Sequence, residues 1–91
     1  MGVAHPEQET AVRQFVERLS REEHVLLVLR QELYEGDWEE MEADLRARLE
    51  GRPYIFKLAN RITDDLDRIQ RLRVFERQSG VNLSDYIDVE P

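Results

Sequence analysis

The chain contains no cysteine, so it holds neither a disulfide framework nor a thiolate zinc site, and a reducing cytoplasm is the expected compartment. Long apolar runs are missing as well. The longest, Val25-Leu26-Leu27-Val28-Leu29, falls far short of the roughly 18 to 20 residues that span a bilayer. The first residues, Met1-Gly2-Val3-Ala4-His5-Pro6-Glu7, lack a basic region followed by an apolar one, so a soluble, unprocessed protein is expected. Excess positive charge is absent too: the net charge of −7 repels phosphate backbones and anionic lipid and argues against nucleic-acid or membrane-surface partners. Chain breakers are few, four Gly and three Pro, and Gly36, Gly51, Pro53 and Gly80 mark element boundaries.

Catalytic signatures are also lacking. No Gly-x-Ser-x-Gly turn, phosphate-binding glycine loop or Cys/His pair occurs. The Glu-x-x-His spacing that joins a carboxylate and an imidazole on one metal is absent, because the positions one turn before His24 hold Ser20 and Arg21. His24 reads as a surface or boundary residue and His5 as part of an unanchored terminus. Asp64, Asp65 and Asp67 do not converge on a cation, since residues one apart on a helix point about 100° from each other. No metal, cofactor or enzymatic activity is expected.

What is present is helical periodicity. Ala11, Val12, Phe15, Val16 and Leu19 fall at the spacing of an amphipathic helix from Gln8 to Leu19. Ser20-Arg21-Glu22-Glu23 has the form of a capping box, predicting a bend or a new helix, and the apolar set then continues to a stop near Glu35. Gly36-Asp37 predicts a helical hairpin, with Gly ending one helix and Asp capping the next. The second arm runs from Trp38 to about Glu50, with Trp38, Met41, Leu45 and Leu49 on one face. Gly51-Arg52-Pro53 ends it, and a long helix follows from Pro53 or Tyr54 to Gln78 or Ser79 on the seam Ile55, Leu58, Ala59, Ile62, Leu66, Ile69 and Leu72.

The expected fold is therefore all-α: one domain over residues 1–91, a small three-helix bundle with a bent first helix, the Gly36-Asp37 hairpin and a long third helix. Residues 1–7 are expected to be flexible and residues 81–91 to form a C-terminal segment able to dock. Acid-to-Arg pairs at i, i+4 (Glu9/Arg13, Glu17/Arg21, Glu42/Arg46, Asp44/Arg48, Asp64/Arg68, Asp67/Arg71) read as solvated helix faces. Arg68, Arg71, Arg73 and Arg77 read as complementing the macrodipole of the third helix.

Five consecutive apolar residues leave no polar face for almost a turn and a half, so the helix carrying them needs cover on more than one side. Leu27 and Val28 are the residues whose cover decides function: a foreign helix, a second copy or the chain's own helices. Aromatics give the other binding signal. Trp38 stands at the hairpin tip, Tyr54 and Phe56 flank the Ile55 seam, and Tyr86 and Ile87 lie in the tail; an apolar groove between hairpin and third helix accepts an amphipathic helix through such anchors.

The run Leu29-Arg30-Gln31-Glu32-Leu33-Tyr34-Glu35-Gly36-Asp37-Trp38-Glu39-Glu40-Met41, with Leu45 and Arg48 beyond it, resembles the helix-Gly-Asp-Trp-helix segment of the FliT-type flagellar export chaperones. Residues 62–72 look similar to their later helix. The resemblance implies a cytoplasmic helical bundle without enzymatic activity that holds a filament-cap protein before secretion and contacts the export machinery. It implies partner contacts at Trp38, Met41 and Leu45, and a C-terminal segment with Tyr86 and Ile87 that covers the partner groove until displaced. The Gly51-Arg52-Pro53 break and the N-terminal segment depart from the family pattern.

The leading expectation is thus a non-enzymatic chaperone or adaptor that binds an amphipathic helix, with Leu27, Val28, Trp38, Met41, Leu45, Tyr54, Phe56, Tyr86 and Ile87 as partner-binding residues. A helical homodimer or higher oligomer of structural or regulatory role is the alternative. A small mutase-like enzyme using Arg48, Lys57 and Arg61 is third.

Overall fold

The structure, a computed structural model, describes residues 6–51 and 56–87. It is all-helical, with four helices where three were expected: α1 (Pro6–Glu17), α2 (Arg21–Tyr34), α3 (Trp38–Gly51) and α4 (Phe56–Ser79), followed by a 3₁₀ turn, η1 (Leu83–Tyr86). The extra helix arises at the predicted bend. The Ser20 hydroxyl accepts from the Glu23 backbone N–H at 3.1 Å and the Glu23 carboxylate accepts from the Ser20 N–H at 2.9 Å, a reciprocal cap that starts α2 afresh. Just before it, α1 tightens and stops, with Leu19 N–H bonded to the Val16 carbonyl at 3.2 Å.

The hairpin turns where expected, by a different route. Gly36 has φ of 86°, and Glu35 is also left-handed, at 51°. The turn is held by bonds from Gly36 N–H to the Arg30 carbonyl, 3.0 Å, and from Asp37 N–H to the Tyr34 carbonyl, 2.9 Å. Asp37 then caps α3, its carboxylate accepting from Glu40 N–H at 3.2 Å. Gly80, at φ of 72°, lies just past the end of α4. Tyr54 and the start expected for the long helix at Pro53 or Tyr54 lie outside the described residues.

Helices α2, α3 and α4 pack on one another, while α1 and η1 close one end. The core is Val12, Leu26, Leu27, Trp38, Met41, Ile69, Leu72 and Leu83. Phe15 of α1 stacks on Phe75 of α4 with centroids 3.8 Å apart, so α1 lies over the C-terminal half of α4. Burial is uneven along the bundle. The buried residues of α3, Trp38, Met41 and Glu42, all belong to its first half, and those of α4 are Ile62, Ile69 and Leu72. No helix among the described residues is long and apolar enough to cross a membrane.

Only part of the expected charge pattern forms on single helices. Glu9/Arg13 and Asp44/Arg48 pair as predicted, at 3.3 and 3.4 Å. Glu23 instead binds Arg71, Glu42 binds Arg73, and Arg68 binds Asp65 at 2.7 Å. Arg71 and Arg73 therefore tie α4 to α2 and α3, Arg71 while still largely exposed and Arg73 half-buried. Glu23 and Glu42 are buried, where an opposite charge is worth far more than at the surface.

Candidate functional site

The five-residue apolar run serves two faces of α2. Leu27, fully buried at 0% exposure, points into the core, so its cover is the chain itself. Leu26, Leu29 and Leu33 turn toward the seam between α3 and α4, and there the cover is incomplete. A groove of about 580 Å³ opens between the three helices. Its floor is Leu26, Met41 and Ile62, all buried, and its walls include Leu29, Leu33, Leu45 and Leu58. Leu33 is 65% exposed, and Val25, one turn before Leu29, is also exposed.

Helix lengths explain why this end stays open. Helix α4 has 24 residues and α3 has 14, and α1 covers the other end of α4. The α3 wall from Met41 to Gly51 measures about 15 Å at 1.5 Å per residue, close to three helical turns. A smaller cleft of about 190 Å³, lined by residues that include Arg21, Val25 and Leu29, adjoins the groove along α2.

Polar groups stand at the rim. The Tyr34 hydroxyl donates to the Asp44 carboxylate, which also meets Arg48 at 3.4 Å. That hydrogen bond to a carboxylate, followed by burial, raises the Tyr34 pKa above the usual 10. Arg48 stands on the α3 wall and Arg61 on the α4 wall. Arg61 also borders a polar depression with Lys57.

Of the residues expected to bind a partner, Met41 and Leu45 are brought together in this groove. Leu27 is core, and Val28 is half-buried. Trp38 is buried at the other end of α3. Phe56 is 76% exposed at the start of α4 and is not among the groove residues. Tyr86 and Ile87 pack against the core. Their segment η1 docks on α1 and α2, and no described residue of η1 lines the groove, so the tail covers a different face from the one expected of it.

How the tail docks was not anticipated. Arg30, 2% exposed, forms a two-pronged ion pair with Glu76 at 2.8 and 2.9 Å. The same guanidinium donates to Asn82 Oδ1 at 2.6 Å and Ser84 Oγ at 2.8 Å, and lies 4.1 Å from the Trp38 ring centroid. Glu76 also accepts from Trp38 Nε1 and from the Leu83 N–H, each at 2.7 Å. Four elements thus meet on one buried ion pair. A signal for it exists in the sequence: Arg30 falls three residues after Leu27, and Glu76 four after Leu72, so each is a charge of opposite sign on a core-facing stripe.

No protein-family model, curated protein or solved structure matches this chain.

Proposed function

We propose that the protein is a non-enzymatic interaction domain, a small cytoplasmic chaperone or adaptor that holds an amphipathic helix of a partner protein. The observation that carries this reading is the α2–α3–α4 groove: an apolar floor, walls of half-buried and exposed leucines, and an open length of about three helical turns. Leucines left exposed at such a seam are the counterpart of anchors spaced i, i+3, i+4 and i+7 on an incoming helix. The resemblance of residues 29–41 to FliT-type export chaperones points the same way, toward a secreted filament-type partner.

Self-association is the second reading, favoured by the exposed Phe56 at the start of α4 and by Val25, which lines the adjoining cleft. The lack of cysteine allows a direct test. Leu33→Cys carrying a benzophenone is irradiated in native lysate beside Asp85→Cys, which stands on η1 away from the groove. The expected result is one discrete adduct specific to the Leu33 position, cross-linked through a helical segment of another protein. An adduct of twice the chain's own mass supports the homodimer. Identical products from both positions refute groove binding.

A further inference from the structure

We infer that the groove selects a helix whose apolar stripe is flanked by carboxylates, an inference that rests on the helix-binding reading above. The argument is charge complementarity at the rim. Asp65, which lines the groove, pairs with Arg68 at 2.7 Å, and Asp44, behind the rim, accepts from Tyr34 and pairs with Arg48. Arg61 borders the groove and both neighbouring depressions, and among the described residues no acid pairs with it. Lys57, one turn before it on the same helix, is equally unpaired, and the Arg48 side chain is two-thirds exposed at 66%. Unpaired Glu22 and Asp64 line the neighbouring depressions and not the groove.

The groove therefore presents the unpaired Arg61 on its α4 wall and, on its α3 wall, the exposed Arg48, whose one acid partner is Asp44 at 3.4 Å, across a floor of Leu26, Met41 and Ile62 within a chain of net charge −7. That reversal of sign has a physical consequence. An Arg stem lies along apolar surface while its guanidinium stays at the water boundary, so Arg48 and Arg61 are placed to meet carboxylates on the two flanks of a seated helix. A helix flanked by lysines meets like charge on both walls, which disfavours it. A second copy seated groove to groove sets Arg48 and Arg61 against their own counterparts, so that arrangement meets like charge at the rim.

The test uses fluorescence anisotropy of two labelled 18-residue peptides with leucines at helical anchor spacing, one flanked by Glu and one by Lys. The full chain is expected to bind the Glu-flanked peptide at least about tenfold more tightly, with the preference shrinking as salt is raised. The double variant Arg48→Glu, Arg61→Glu is expected to reverse the preference, with helicity by circular dichroism confirming that these exposed substitutions leave the fold intact. Equal binding of both peptides by both proteins overturns the charge selection and leaves the groove reading standing. Binding of neither peptide, with a monomeric mass by light scattering, overturns the groove reading itself. A dimer that excludes both peptides overturns the proposal in favour of a second copy as occupant.

Discussion

At the scale of single residues the decisive pair is Arg30 and Glu76. Burying either charge alone is costly, and here each is matched by the other, by Trp38, by two side chains of the C-terminal segment and by the Leu83 amide. Removing one partner leaves the other charged in a dry site, so Glu76→Leu is expected to cost about 3 to 5 kcal/mol, read from urea denaturation. Replacing both, as Arg30→Met with Glu76→Leu, is expected to recover most of that loss, because two apolar groups of similar size need no counter-charge. A double variant as unstable as the single one would show that the bonds to Asn82 and Ser84, rather than the ion pair, hold the tail.

Tyr34 gives a second prediction at this scale. Its neutral phenol donates to Asp44, a bond that ionisation would break, and this, with burial and then the repulsion of the Asp44 charge, raises its pKa above 10. A group raised in the folded state contributes stability that is fully present below its unfolded pKa and lost as pH climbs through the folded one. Absorbance titration of the phenolates is expected to lose its highest-pH component in Tyr34→Phe, and the stability difference between the two proteins is expected to narrow only above pH 10. A Tyr34→Phe curve that loses a component at or below the ordinary value would refute the Asp44 bond.

At the scale of elements the α2–α3 turn stores a small strain that can be removed. Glu35 is left-handed at φ of 51°, a conformation that crowds Cβ against the backbone in any residue but glycine and costs about 1 to 2 kcal/mol. Glu35→Gly is expected to raise stability by about 0.5 to 1 kcal/mol, measured as a midpoint shift in thermal or urea unfolding, with Gly36→Ala moving it the other way. The turn's position was legible in the sequence because Gly36 and Asp37 act through local backbone rules. The same holds for the Ser20/Glu23 box, whose two hydrogen bonds join residues three apart. What local rules leave undetermined is whether a capping box bends a helix or restarts it, hence four helices in place of three. That Met41 and Leu45 face the same way was legible because α3 has one apolar face, but Trp38 on that face is core, so the face alone does not mark the groove. Leu29, Leu33 and Leu58 were less so: as members of apolar stripes they are indistinguishable from core until the lengths of α3 and α4 leave them uncovered. Glu42 read as half of a solvated pair with Arg46, since its actual partner, Arg73, is distant in sequence.

At the scale of the whole molecule the bundle has a sealed end and an open end. Val12, Phe15, Leu72, Phe75, Leu83 and the Arg30–Glu76 network close one end, where α1, α4 and η1 meet. Toward the other end α3 has no buried residue after Glu42, and the N-terminal half of α4 has Ile62 alone. Backbone amides open in cooperative units whose stability follows local burial, so the two ends are expected to exchange hydrogen at different rates. Residues 69–76 are expected to exchange near the global unfolding limit, and residues 43–50 and 56–61 several orders of magnitude faster. Seating a helix in the groove buries Leu33, Leu45 and Leu58 together, and so is expected to slow exchange in those two segments while leaving 69–76 unchanged. Uniform protection in the free protein would mean that the groove walls are held as firmly as the core, and the open end would then be a rigid surface feature rather than a site whose stability is completed by its partner.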